Sequence, residues 1–192
     1  YKSLNFLHKI DFNVFKEFLS KIQTEKNKYD NKSLINDELL NKTYIFDEYN
    51  PLSINNVLKD GVCDIFKTLY QDAIKNNVFP LGDRQSNRYK SHNESAARVL
   101  HYELLPLIEK ITNKKLYPTY TYTSFYIKGA DLPSHTDRED CEFTVSFIID
   151  KPDGANWNIY VDPKNQPRKN IGRCKPLSDK DDCIAVDCNS NG

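Results

Sequence analysis

The sequence predicts an α+β domain, with helices first and short strands after. Two observations carry this. In the first part of the chain, apolar residues recur every three or four positions, the period of a helix with one buried face. From residue 116 onward Tyr, Thr, Phe, Val and Ile become dense, and apolar and polar residues begin to alternate as they do along a half-covered strand. Helices segregated from strands make an α+β arrangement, and the strands then close into a sandwich or barrel.

Asp11 is placed to cap a first helix over residues 11–28, with Phe12, Phe15, Leu19 and Ile22 as its stripe. Residues 41–58 have no clear period and read as loop, or as a short strand near 44–46. Asp60 is placed to cap a second helix over 61–78, with Val62, Ile65, Phe66, Leu69, Ala73 and Ile74 on one face, and Phe79-Pro80-Leu81-Gly82 ends it. A third helix covers 93–112 on Val99, Leu100, Leu104, Leu107, Ile108 and Ile111. Pro106 is expected to kink or divide it, because proline removes a helix hydrogen bond and crowds the preceding turn.

Residues 116–128 suit a strand, and Gly129-Ala130-Asp131 a turn. Over residues 142–149 Phe143, Val145, Phe147 and Ile149 face one way, and Glu142, Thr144, Ser146 and Ile148 the other. A turn at 151–154 leads to short strands at 157–161 and 182–187. The basic loop between them, 162–180, either covers the mouth of a site or is simply solvated.

A length of 192 residues fits one domain, at about 150 residues per domain. Lys and Arg number 27 and so do Asp and Glu, a net charge of zero that argues against a general nucleic-acid or polybasic membrane binder. No apolar run approaches the roughly 20 residues that span a bilayer. The first residues do not read as a signal peptide, and a cytoplasmic location is expected. The chain contains no Met, so its natural start lies elsewhere and a removed leader stays open. Its five cysteines form no C-x-x-C pair; they read as free thiols, with a Cys174–Cys183 or Cys183–Cys188 bridge as the alternative.

One segment carries chemistry: Ser134-His135-Thr136-Asp137. Residues i and i+2 of an extended segment project to the same side, so His135 and Asp137 are able to offer a nitrogen and an oxygen to one metal ion. They would be two of the three ligands of a 2-His-1-carboxylate triad, the arrangement that leaves open positions on Fe(II). H-x-D alone is a weak pattern, equally at home in a solvated loop.

The wider context is more specific. A strand tyrosine, Tyr126, is followed by Gly129, Leu132 and then His135 and Asp137; Arg138 and Cys141-Glu142 lead into the alternating segment. Leu105-Pro106-Leu107-Ile108-Glu109 and Leu116-Tyr117-Pro118-Thr119-Tyr120 precede it, and Pro152-Asp153-Gly154 and residues 157–161 follow. Across residues 98–161 this order resembles the iron(II)- and 2-oxoglutarate-dependent dioxygenases, in their prolyl-hydroxylase branch. The resemblance implies a double-stranded β-helix, a cupin-like jelly roll over about 113–192, with helices of about 1–112 packed outside it. It implies Fe(II) held by His135 and Asp137, and 2-oxoglutarate as co-substrate. It also implies Tyr126, Thr144 and Ser146 on the cavity side, where they contact that co-substrate. Tyr120 and Tyr122 share the parity of Tyr126. Arg138 is open to three roles: pairing with substrate, holding Asp137, or a surface ion pair with Glu139 or Asp140.

The pattern also departs from the family. A second metal histidine and a basic residue for the far carboxylate of 2-oxoglutarate should follow, and no His follows His135. His8, His92 and His101 all precede it, in segments that read as helix or cap. The missing pair is expected beyond residue 192, with a real truncation as the alternative. Leu132 stands where many prolyl hydroxylases carry a tyrosine. The expected function is hydroxylation of a prolyl or other amino-acid-type substrate, a small molecule or a peptide. A catalytically inactive jelly-roll binding module is the second reading. A metal-dependent cupin-like enzyme without 2-oxoglutarate would need additional His ligands.

Overall fold

The computed structural model describes residues 10–47, 50–82, 86–138, 140–155, 157–162 and 183–187. Its elements run α1 (Phe12–Lys26), α2 (Asp37–Asn41), α3 (Val62–Lys75), β1 (Arg88–His92), α4 (Ser95–Thr112), β2 (Tyr122–Tyr126), β3 (Asn158–Val161) and β4 (Ile184–Asp187).

Asp11 caps α1 as expected, its carboxylate accepting from the Asn13 amide at 2.8 Å. The buried face of α1 is rotated from the expected stripe. Phe18 and Ile22 are buried, whereas Phe12 is 74% exposed. Phe18 sets the face by meeting Phe66 of α3 edge-on, with ring centroids 5.1 Å apart. Asp60 does not cap α3. Gly61 precedes that helix at φ 79°, a left-handed conformation costly for any other residue, and no side chain bonds the first turn. Of the expected faces, Val62, Phe66, Leu69 and Ala73 of α3 and Leu100, Leu104, Leu107 and Ile111 of α4 are buried, Ile65, Ile74, Val99 and Ile108 are half-buried, and Tyr70 joins the buried set. Pro106 leaves α4 a single helix. The carbonyl it frees, four residues back, belongs to Tyr102, which is 54% exposed.

Within the stretch read as loop or strand there is no strand at 44–46. Residues 34–36 and 57–59 instead lie side by side, through Asn36 N–H to the Val57 carbonyl and Lys59 N–H to the Leu34 carbonyl, both at 2.9 Å. That contact drives Leu34, Ile35 and Leu58 into the helical core.

The strands form two separate two-stranded antiparallel sheets, β1 with β2 and β3 with β4. The strand expected over 116–128 is confined to Tyr122–Tyr126, because β1 has only five residues to pair with it. Asn93 closes that pair beyond its end, bonding both the amide and the carbonyl of Thr121. Residues 142–149 pair with no strand among the described residues. They still cross the helices: Phe147 and Ile149 pack on the core, and the Cys63 thiol of α3 reaches the Ile149 carbonyl at 3.2 Å. Val145, expected on the same side, is 48% exposed. Among the described residues no helix is long and apolar enough to cross a membrane. The basic loop, His8, Cys174 and Cys188 lie outside the described residues.

Candidate metal and co-substrate site

The β1–β2 pair positions the site through its alternation. Tyr89 and Phe125, paired in register, pack on the helical core, and Phe125 stacks on Phe79 at 5.4 Å. Side chains of opposite parity therefore share the other face: Arg88 with Tyr126, and His92 with Tyr122. Arg88 lies over the rings of Tyr122 and Tyr126, at 4.9 and 5.3 Å. His92 stacks on Tyr120 at 5.1 Å and meets Tyr122 edge-on. Arg138 then lies over the Tyr120 ring at 4.9 Å. A ladder in which Arg88, His92 and Arg138 alternate with tyrosine rings thus runs from Arg88 to the residue beside Asp137. The expected grouping of Tyr120, Tyr122 and Tyr126 is what this face displays.

His135 and Asp137 come together at its end. The Nδ1 atom of His135 lies 2.8 Å from the Pro133 carbonyl. A carbonyl only accepts, so Nδ1 carries a proton, and in the neutral ring the lone pair sits on Nε2. That lone pair faces Asp137 Oδ1 at 3.9 Å. The other oxygen of Asp137 accepts from the Thr144 hydroxyl at 2.7 Å. Nε2 and Oδ1 can face each other as an ion pair when the ring carries a second proton, or as two donors toward a metal cation when it does not. The separation of 3.9 Å is below the ~4.2 Å that two bonds of about 2.1 Å span in line and wider than the about 3.0 Å of adjacent ligands at a right angle, so the pair would close by about 1 Å on a facially bound ion. Both side chains are about one-third exposed, open enough to admit an ion from solvent. No third His, Cys, Asp or Glu joins them among the described residues.

The remaining expected residues divide. Thr144, read as a co-substrate contact, donates its hydroxyl to Asp137. Ser146 is exposed, and no hydrogen bond ties it to the pair among the described residues. The Tyr126 hydroxyl accepts from Arg88 at 2.6 Å, and its ring meets Trp157 edge-on at 5.2 Å. Its own hydroxyl proton is thereby left to be donated elsewhere.

Two groups stand out electrostatically. Burial, a bond to the Cys141 thiol and the nearby Asp137 charge push the Tyr120 phenol up to about 12, so it stays protonated. Burial, and then the positive Arg138, hold His92 below its ordinary range, so its ring is neutral near pH 7. The Nε2 atom of His92 is buried without a hydrogen-bond partner. Sequence reasoning had placed His92 in a helix or cap. The segment Arg88–His92 carries too few apolar residues to announce a strand, and only the register with β2 reveals its face. A cleft of about 400 Å³ lined by Phe46, Asp47, Thr112, Lys114 and Phe143 includes none of the expected site residues.

No protein-family model, curated protein or solved structure matches the chain.

Proposed function

We propose that the protein is a non-haem Fe(II)- and 2-oxoglutarate-dependent oxygenase that hydroxylates a prolyl or other amino-acid-type substrate. The single observation carrying this is that His135 Nε2 is turned toward Asp137 Oδ1 across 3.9 Å. The double-stranded β-helix belongs to the same proposal, as does a third metal ligand outside the described residues. Bound there, Fe(II) with 2-oxoglutarate and oxygen supplies C–H hydroxylation, with succinate and carbon dioxide as co-products.

The chain's own residues have separable tasks. The Pro133 carbonyl fixes the tautomer and direction of the His135 ring, as outer partners of metal-bound histidines do. Asp137 supplies the negative charge that offsets a dication. Thr144 holds one oxygen of that carboxylate and leaves the other to the metal. Arg88 holds the Tyr126 oxygen at the other end of the ladder and leaves the phenol proton as the proposed donor to the co-substrate.

The test is succinate release from 2-oxoglutarate by full-length protein, with Fe(II) and with Fe(II) chelated. Iron-dependent release supports the reading. Full-length protein that binds neither iron nor 2-oxoglutarate would favour the inactive binding module. The specific observation behind that module is that only two metal-binding side chains meet among the described residues.

A further inference from the structure

We propose that Arg138, held over Tyr120, binds a carboxylate of the substrate, so that the site selects substrates carrying their own carboxylate. This rests on the oxygenase reading and names its substrate class.

Arg138 follows Asp137 directly, so the two Cα atoms are about 3.8 Å apart. Its guanidinium is not paired with a carboxylate among the described residues. It lies 4.9 Å over the Tyr120 ring, and it makes no hydrogen bond or ion pair among the described residues. Asp140 is not its partner, and Asp137 is engaged with Thr144 and turned to His135. Glu139 lies outside the described residues; among the described ones the arrangement favours the role toward a ligand.

The arm is also held in place. The Arg138 carbonyl accepts from the Cys141 amide at 2.9 Å, which closes a turn. Tyr120, the platform under the guanidinium, is stacked on His92 with 19° between the rings and is bonded through its hydroxyl to Cys141. A guanidinium settled on an aromatic face keeps its N–H fork free in the ring plane and loses little freedom when a carboxylate docks on it. His92, kept neutral by burial and by Arg138, adds no second charge. One fixed positive charge suits one carboxylate; a phosphate dianion would want more.

The experiment follows the Arg138 Nε–H signal by NMR in full-length protein saturated with Zn(II) and 2-oxoglutarate, with Arg138→Gln assigning the signal. N-acetylglycine is the carboxylate probe, its amide the uncharged control, and inorganic phosphate the competing anion. A saturable shift with N-acetylglycine is expected, with none from the amide. In Arg138→Gln the same binding, read at neighbouring amides, should weaken about tenfold or more, as charge-assisted bonds are lost. No saturable shift, an equal shift from the amide, or tighter binding of phosphate would overturn the inference. So would abolition of N-acetylglycine binding by 2-oxoglutarate, since Arg138 would then serve the co-substrate. The His135 ring signals report the reading beneath it. If they respond to Zn(II) while Arg138 stays silent, the inference alone falls; if they ignore Zn(II), the oxygenase reading falls and takes the inference with it.

Discussion

Thr144 donates its hydroxyl to Asp137 Oδ2 at 2.7 Å, and this bond decides which carboxylate oxygen faces His135. It ties the crossing segment 142–149 to the H-x-D segment. Replacing Thr144 with Val keeps the shape and removes the donor. Metal affinity should fall by about 10–100-fold, the usual loss when an outer partner of a metal ligand is removed. The exposed position predicts little change in folding. Calorimetric metal titration beside circular dichroism checks both halves, and unchanged affinity would deny Thr144 its supporting role.

Tyr126→Phe removes the acceptor of the 2.6 Å bond from Arg88. A hydrogen bond to a charged group is worth about 1.5–3 kcal/mol, so urea unfolding should show a loss of that order. The 2-oxoglutarate requirement should rise as well, because the same hydroxyl is the proposed donor to the co-substrate. A stability loss with an unchanged requirement would make Tyr126 structural only.

Stability should depend on pH through two histidines. His92 and His101 are both held below the ordinary value of 6.5, each chiefly by burial and then by a neighbouring arginine, Arg138 and Arg98 respectively. A histidine depressed in the folded state is protonated first in the unfolded chain, so acid favours unfolding. The unfolding midpoint should therefore fall between about pH 7 and pH 5. Replacing both residues with Gln should flatten that window. Depressed carboxylates such as Glu109 act in a lower window, below their ordinary value of 4.5, and their contribution should survive the replacement.

The helical half was legible because its stripes are long and few alternatives compete with them. Val62 through Ala73 and Leu100 through Ile111 repeat over three or more turns, and the structure buries those residues. The face of α1 was less so, because Phe12, Phe15, Phe18 and Leu19 surround the helix and only contact with Phe66 selects among them. β1 was illegible: Arg88, Lys90 and His92 look like solvent-facing residues, and their ladder with the tyrosines depends on pairing 30–38 positions away. Residues 142–149 alternate as a strand should, yet alternation does not supply a pairing partner, and none appears among the described residues. At the candidate site, His135 and Asp137 could be read from spacing two apart. The Pro133 and Thr144 bonds that orient them depend on backbone path and could not.

The central claim is that His135 and Asp137 share one metal ion, and anaerobic Fe(II) calorimetry on full-length protein tests it most directly. Wild type, His135→Ala and Asp137→Ala would be titrated side by side, with circular dichroism confirming that all three fold. The account predicts one ion per wild-type chain and an affinity at least about a hundredfold weaker in each variant, since each loses one of the protein's few metal bonds. Equal affinity in all three proteins would contradict it.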